Sequence, residues 1–142
     1  RGLGDVYKRQ IIGAVEPIYM LPMKTPFAAR IDTGAENSSL DVDNMKTFER
    51  DGEKWVSFDL VNRQGGERHH FEKKILKFVT ITRIHKSEKR PSVMMDVNFG
   101  GQIIKARFSL ADREKFEYQA LVGRNILTGR AIVDTALSNT LR

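Results

Sequence analysis

Residues 31–40 read Ile-Asp-Thr-Gly-Ala-Glu-Asn-Ser-Ser-Leu, and this stretch carries more information about the fold than any other. An apolar residue, Ile31, leads directly into Asp32, Thr33 and Gly34. Aspartate and glycine are common turn residues, so the tripeptide alone predicts only a turn. A carboxylate at the end of a buried strand, beside a glycine without a Cβ that lets a second loop approach closely, also suits acid–base catalysis. The rest of the chain decides between these two interpretations.

Outside this stretch, apolar residues recur mainly at every second position, which is typical of strands. Gly100-Gly101 lies between two such segments and predicts a two-residue hairpin turn. The predicted strands cover residues 15–21, 27–31, 55–60, 76–84, 93–99, 104–110, 120–122 and 131–133. A short helix is predicted over Arg124 to Thr128, with a glycine on each side, and a helical turn over Asn44 to Arg50. Many short strands with turns between them predict an all-β barrel or sandwich.

Size and composition fit one globular domain. The chain has 142 residues, of which 40% are apolar and 30% charged, and it has no cysteine, which excludes disulfides and thiolate chemistry. No run approaches the ~20 apolar residues of a membrane helix, and we expect a cytoplasmic protein that does not contact a membrane. Residues 1–10 (RGLGDVYKRQ) resemble a translated sequencing adapter, so we place the domain at residues 11–142.

The net charge of +6 is concentrated in one stretch. Residues 63–90 contain nine Lys or Arg and three Glu, so this stretch alone carries +6, and it also holds all three histidines. Such a stretch favours an anionic partner, either nucleic acid or an acidic peptide. A solvated hairpin is the alternative, because charge runs usually mark exposed faces.

A second motif contains Arg124, which lies 92 positions after Asp32. Residues 120–127 read Ala-Leu-Val-Gly-Arg-Asn-Ile-Leu, and together with the Asp-Thr-Gly-Ala turn they resemble the active site of retropepsins. Residues 29–35, 48–52, 55–58, 90–91 and 133–134 are similar to one bacterial family that is related to retropepsins and is often labelled "ATP-dependent zinc protease". RimB-type members of that family are associated with an ATP-grasp ligase that modifies a ribosomal protein. The resemblance covers about residues 11–136.

The resemblance implies a closed, retropepsin-like all-β barrel with one short C-terminal helix, working as a C2 homodimer in which two copies of Asp32 activate water for peptide-bond hydrolysis. Thr33 and Gly34 would shape the catalytic turn. Arg124 would pair with the Glu36 carboxylate, and Asn125 would give further support. The expected substrate-binding residues are Arg30, Ala35, Glu36 and Asn37. No cofactor or metal is expected, and the expected substrate is a peptide or an acidic, poly-glutamate protein tail.

Arg30 is also singled out by strand alternation. If Ile31 is buried, the Arg30 side chain points the other way, toward solvent or an acidic substrate group. A retropepsin also needs a flap, a hairpin that closes over the substrate. We predict its arms at 55–61 and 76–84, with Gly65-Gly66 near the tip.

Three other readings of the sequence are weaker. Asp134-Thr135 lies too close to Arg124 to be the second catalytic aspartate of the same chain. His69 and His70 are adjacent, so on a strand they point to opposite faces and do not share a metal. A barrel that binds RNA or the ribosome through residues 63–90 without catalysis, or a metal-dependent hydrolase, remains the alternative function.

Overall fold

Alternating apolar residues build a structure made almost entirely of strands. In the computed structural model, which describes residues 9–141, the elements in chain order are β1 Gln10–Ile12, β2 Val15–Met20, β3 Phe27–Ile31, β4 Ser38–Arg50, β5 Glu53–Val61, β6 Arg68–Lys74, β7 Lys77–Arg83, β8 Lys86–Phe99, β9 Gln102–Asp112, β10 Ala120–Val122, α1 Arg124–Leu127 and β11 Ala131–Val133. The all-β prediction and the single short helix are therefore confirmed for the described residues.

Six strands close into a barrel. Their order is β10-β3-β2-β8-β9-β4, and β10 pairs with β4 to complete the ring. The Asp-Thr-Gly-Ala turn and the Gly-Arg-Asn motif follow neighbouring strands of the barrel. β10 runs parallel to β3 and places Val122 beside Ile31. The interior is filled by fully buried apolar side chains from every barrel strand, among them Ile18, Phe27, Leu40, Val97, Phe108 and Val122. Burying a large apolar side chain of this kind contributes roughly 1.5–3 kcal/mol, so the barrel is the stable frame that holds the β3–β10 end in place.

β4 continues beyond the barrel into an outer antiparallel sheet with β5 and β6. The predicted helical turn over 44–50 is wrong, because residues 46–50 pair in register with 53–57 of β5. A bulge between Asp43 and Lys46 bends β4 out of the barrel, and Asn44 adopts a left-handed φ of 53° there. The Asn44 amide donates to the Asp59 carboxylate at 2.7 Å, which fastens the bulge to β5. Hydrogen bonds from Asn44 and then His70 hold the pKa of Asp59 below its ordinary value.

The predicted flap is wrong in its pairing. Segments 55–61 and 76–84 do not pair with each other: β5 pairs with β6, and β7 pairs with β8. The turn that contains Gly65-Gly66 is pinned to residues 24–26, because Glu67 accepts hydrogen bonds from the Lys24 and Thr25 N–H groups. The hairpin that has an exposed tip is β7–β8. Its tip consists of the almost fully exposed Ile84 and its neighbour His85.

The two ends of the described chain meet in a second small sheet. β1 pairs in parallel with β11, and Gln10 opposes Ala131. The segment after β11 folds back over β2, where the fully buried Glu16 carboxylate accepts hydrogen bonds from the Gly13 N–H, the Thr140 hydroxyl and the Leu141 N–H. Most of the remaining predicted adapter segment, residues 1–8, lies outside the described residues.

Within residues 9–141, no helix has both the length and the apolar character needed to cross a bilayer.

Candidate active site

Asp32 stands at the end of β3, on a tight turn that its own side chain stabilises. The Asp32 N–H donates to the Val122 carbonyl at 2.9 Å, which ties the turn to β10. The Gly34 N–H donates to Asp32 Oδ1 at 2.9 Å, and the Ala35 N–H donates to the Asp32 carbonyl at 3.2 Å. The Asp32 side chain is half-buried, whereas Thr33 and Gly34 are exposed. The turn therefore presents one oriented carboxylate at the surface of the subunit.

Helix α1 braces this turn through its backbone. The Arg124 N–H donates to the Ala35 carbonyl at 2.8 Å, and the Asn125 N–H donates to the Glu36 carbonyl at 3.1 Å. These bonds bring the start of the helix against residues 35–37. A Cβ on Gly123 would lie 2.5 Å from the Asn37 carbonyl oxygen, so only glycine permits this close approach.

The expected ion pair between Arg124 and Glu36 is wrong in its acceptor. Arg124 Nη1 donates to the Thr33 carbonyl at 3.0 Å instead. No carboxylate among residues 9–141 lies within salt-bridge distance of the Arg124 guanidinium, and the Glu36 side chain is exposed. Arg124 thus supports the Asp-Thr-Gly turn by donating to its backbone rather than by neutralising a charge.

Two residues that the sequence reasoning missed complete this support. Ser38 is fully buried, and its hydroxyl donates to Asn125 Oδ1 at 2.7 Å and accepts from the Gly123 N–H at 3.0 Å. Arg107 on β9 donates through Nη2 to Asn37 Oδ1 at 2.9 Å, and its carbonyl accepts from Asn125 Nδ2. The small polar residues 37–39, which follow the Asp-Thr-Gly turn after two intervening residues, were the available signal for Ser38. Arg107 lies 75 positions from Asp32 and left no local signal.

A cavity of about 300 Å³ is lined by Arg30 of β3, close in sequence to the Asp-Thr-Gly turn. Burial alternates along β3, so Phe27, Ala29 and Ile31 face the core while Arg30 faces outward, as predicted from alternation. Arg30 lies two positions before Asp32, roughly 6.6 Å away along the strand. The other lining residues are Ser39, Arg90, Phe116, Glu117, Tyr118, Ala120 and Leu121.

One wall of this cavity is the loop between β9 and β10, and a buried carboxylate holds it. Asp41 accepts hydrogen bonds from the Glu114 N–H at 2.9 Å and the Phe116 N–H at 3.2 Å. It also pairs with Arg63 at 2.8 Å, and Arg63 in turn donates to the Phe116 carbonyl. Asp41 is another functional residue that sequence reasoning missed, because its partners lie 22 to 75 positions away.

The β7–β8 hairpin leans on the same wall through ion pairs. Glu114 Oε1 lies 2.8 Å from Arg83 Nη2 and 3.5 Å from Arg90 Nη2, and Glu88 Oε1 lies 3.3 Å and 2.8 Å from the same two groups. The hydrogen bond from Arg90 lowers the pKa of Glu88, and the bond to Glu114 raises the pKa of Arg83. These pairs fix the base of the hairpin to the cavity wall, and Arg90 lines the same cavity as Arg30.

The basic stretch is less free than its composition suggests. Among its nine Lys and Arg residues, five are engaged in ion pairs within the described chain, namely 63, 68, 74, 83 and 90. Positive charge is concentrated instead on the β7–β8 hairpin, where residues 77–90 hold five basic residues and one acidic residue. The histidines have structural contacts, since His70 Nδ1 lies 2.7 Å from Asp59 Oδ1 and His69 packs edge-on against Phe71.

A closed β-barrel with an Asp-Thr-Gly-Ala turn braced by a Gly-Arg-Asn helix defines the retropepsin-like class of aspartic-protease folds. Within this class the chain belongs to the RimB-like family, described as retropepsin-like aspartic endopeptidase RimB, whose model matches residues 11–141. The predicted resemblance is thereby confirmed.

Relatives and a solved structure agree with this assignment. Proteins named probable alpha-L-glutamate ligase from Shewanella pealeana and Desulfotalea psychrophila are 31% and 30% identical over 132 and 145 residues. The matches cover 90% and 96% of this chain but only 29% and 30% of those proteins, so the chain corresponds to less than a third of their length. A crystal structure of a Legionella pneumophila protein of unknown function superposes with a TM-score of 0.78 at 28% identity, covering 95% of this chain and 100% of that one.

Proposed function

We propose that this chain is an aspartic endopeptidase whose catalytic pair consists of Asp32 from each of two identical subunits. The observation that carries the proposal is the half-buried Asp32 carboxylate at the surface of a turn that β10 and α1 fix from behind. One carboxylate would act as base toward a water molecule while the other, protonated, donates to the carbonyl oxygen of the peptide bond. Two carboxylates held this close share a single proton, which supplies both roles.

The surface around the turn suits a symmetric partner. Thr33 and Gly34 are exposed at its tip, so the equivalent loop of a second subunit can approach without meeting a bulky side chain. At the small terminal sheet, Ile11 and Ile132 are opposed in register and are 59% and 53% exposed. The outer edge of β11 has no strand partner within residues 9–141. An exposed apolar pair beside an open strand edge favours association with a second copy.

We further propose that the β7–β8 hairpin is the flap and that the substrate is an acidic peptide, such as a poly-glutamate tail. Residues 77–90 of the hairpin carry a net charge of +4, and Arg90 at its base lines the cavity that also contains Arg30. The relatives named as glutamate ligases contain a region similar to this chain, which supports a substrate rich in glutamate. Opposite charges on flap and substrate would raise the association rate and make it sensitive to salt.

Asp32→Asn tests the reaction. The asparagine keeps the shape and the turn but cannot act as base, so hydrolysis of glutamate-rich peptides should fall by at least about a hundredfold, the smallest usual contribution of general base catalysis. Turnover is measured for wild type and variant from about pH 4 to pH 8, with circular dichroism and sedimentation to show that the variant folds and associates as wild type does. Unchanged turnover in the variant would remove the proposal.

A non-catalytic domain that binds RNA is the competing outcome. It predicts no peptide cleavage, together with RNA binding that survives Asp32→Asn and weakens steeply with salt. Only two aromatic residues of 63–90, Phe71 and Phe78, could stack on bases, and Phe71 is buried, which makes this outcome less favourable.

A further inference from the structure

We propose that the cavity lined by Arg30 is a subsite for a glutamate side chain of the substrate, in which Arg30 and Arg90 bind the carboxylate. In the free protein, Glu117 pairs with Arg30 in place of that carboxylate. This inference rests on the proposed peptidase function, because it assigns the substrate preference of the same cleft. It also predicts binding behaviour that does not depend on turnover.

Arg90 has a hydrogen-bond donor that is not satisfied within the described chain. Its side chain is only 10% exposed, although it carries a permanent charge. Its terminal Nη2 is paired with Glu88 and Glu114, but its Nε is buried and has no hydrogen-bond acceptor among the described residues. A buried donor without an acceptor is unfavourable, and Arg90 lines the cavity, so a carboxylate that enters the cavity can supply the missing acceptor.

Arg30 supplies the second cation at the opposite side of the same cavity. Its guanidinium packs over the Tyr118 ring at 5.5 Å, which restrains a side chain that is otherwise 56% exposed. Arg30 lies only two positions before Asp32, so a side chain bound at Arg30 belongs to a residue near the cleaved bond.

Glu117 behaves as an internal substitute for the substrate carboxylate. Its Oε1 lies 3.6 Å from Arg30 Nη2, at the long end of ion-pair distances, and its side chain is 76% exposed. An exposed pair of this length is weak, so an incoming carboxylate that also binds Arg90 displaces Glu117 from Arg30. The large apolar side chains in the lining, Phe116, Tyr118 and Leu121, can pack against the methylene groups of a glutamate side chain.

The test measures binding to protein that carries Asp32→Asn, so that cleavage does not interfere. Fluorescein-labelled hexaglutamate and hexaglutamine are titrated, and anisotropy reports affinity. Adding Arg30→Gln should weaken hexaglutamate binding about three- to tenfold and leave hexaglutamine unchanged, because a partly exposed charge pair contributes about 1 kcal/mol or slightly more. Glu117→Gln should strengthen hexaglutamate binding, because the competing carboxylate is gone.

Arg90→Lys examines the deeper cation. Lysine keeps the charge but lacks the Nε–H donor, so hexaglutamate affinity should fall although the net charge is constant. Arg50→Gln and Glu72→Gln are matched controls, because Arg50 and Glu72 form a similarly exposed pair on the outer sheet. These controls change the overall charge by the same amount without touching the cavity.

Two results would overturn the subsite. Equal losses from Arg30→Gln and Arg50→Gln would mean that only long-range attraction is measured, and equal binding of both peptides would mean that the cavity does not select a carboxylate. The outcome is separate from that of the peptidase proposal. Arg30-dependent binding without cleavage by the wild type would sink the peptidase alone, and cleavage without preference for glutamate would sink the subsite alone.

Discussion

At the scale of single residues, contacts far apart in sequence decide how the catalytic turn is held. Gly123 shows this most directly, because two carbonyl oxygens, those of Ala35 and Asn37, lie where its Cβ would be, at 2.8 Å and 2.5 Å. Real Cβ atoms do not approach backbone oxygen this closely, and backbone on both sides leaves little room for adjustment. The absence of one methyl group therefore lets α1 reach the loop that carries Asp32.

Gly123→Ala should accordingly displace the 35–37 loop. We expect a loss of about 1–3 kcal/mol in the free energy of unfolding, as for other overpacked sites, and a larger proportional loss of peptidase activity. Urea unfolding and kcat measurements on the same preparation check this. Gly52→Ala is the control, because a Cβ at Gly52 would have no neighbouring atom within 4 Å, so its cost comes only from the left-handed φ of 79° and is about 1–2 kcal/mol. An alanine at 123 with normal stability and activity would contradict the bracing role of α1.

Glu16 permits a prediction about pH. Burial disfavours its charge, but hydrogen bonds from Thr140, Gly13 and Leu141 outweigh this and hold its pKa below the ordinary value of 4.5. A carboxylate with a depressed pKa in the folded state stabilises the protein above the unfolded pKa, and this contribution is lost as pH falls through the folded value. Glu16→Gln should cost about 1.5–3 kcal/mol at pH 7, the usual worth of charged hydrogen bonds, and progressively less below about pH 4.

Urea unfolding of wild type and Glu16→Gln, at pH 7 and below about pH 4, measures the difference in the free energy of unfolding at each pH. Glu53→Gln is a suitable control, since the Glu53 carboxylate pairs with Lys74 on the surface and its loss should change stability by less than about 1 kcal/mol. A pH-independent difference between wild type and Glu16→Gln would exclude the ionised carboxylate as the source of the stabilisation.

The position of the Asp-Thr-Gly turn at the end of a strand could be predicted from the sequence, but most of the contacts that hold this turn could not. Asp32, Thr33 and Gly34 are marked by a local motif, and the outward direction of Arg30 follows from alternation within one strand. The acceptor of Arg124 could not be predicted, because a long side chain reaches either the Glu36 carboxylate or the Thr33 carbonyl, and only the three-dimensional position of the helix selects one. Ser38, Asp41 and Arg107 were missed for the same reason.

At the scale of elements, strands with clean alternation were predictable and pairing was not. β3 and β10 coincide with their predicted bounds, whereas β6 was missed because only Phe71 among its seven residues is buried. The flap was misplaced because two glycines mark a turn without showing which strands flank it. Glu67 and Asn62 anchor that turn to residues 24–26, so it is not free to close over a substrate.

Asp41→Asn tests the element that forms the cavity wall. An amide has one acceptor oxygen, so it cannot keep both backbone N–H groups and the Arg63 pair, and the 113–119 loop should loosen. We expect KM for glutamate-rich peptides to rise several-fold with a smaller change in kcat, because Asp41 positions the wall and does not touch the reacting atoms. Unfolding should be easier by about 1–3 kcal/mol. Asp96→Asn, which breaks an exposed pair with Lys105, should leave KM unchanged.

At the scale of the whole molecule, the barrel presents a single Asp32, and a working aspartic peptidase needs two. The barrel and its site support were accessible from sequence pattern and resemblance, but an interface between copies leaves only faint traces, such as the exposed Ile11 and Ile132. Ile132→Asp should place a charge in the proposed interface. We expect a folded monomer in sedimentation, with peptidase activity lost, and activity of the wild type that falls on dilution below the dissociation constant.

Mixing subunits gives the sharpest test of a shared catalytic pair. If Asp32→Asn subunits exchange freely with wild-type subunits, an equal mixture contains about one quarter wild-type dimers, because an isologous dimer pairs copies at random. Dimers with one asparagine lack one member of the pair and should be inactive, so activity should be about a quarter of that of undiluted wild type, measured at constant total protein. A complete site within each subunit predicts half instead. Adding Ile132→Asp protein in place of Asp32→Asn, which should not enter dimers, is the control for simple dilution. An equal mixture with half the activity would show that each copy of Asp32 works without the Asp32 of the other subunit.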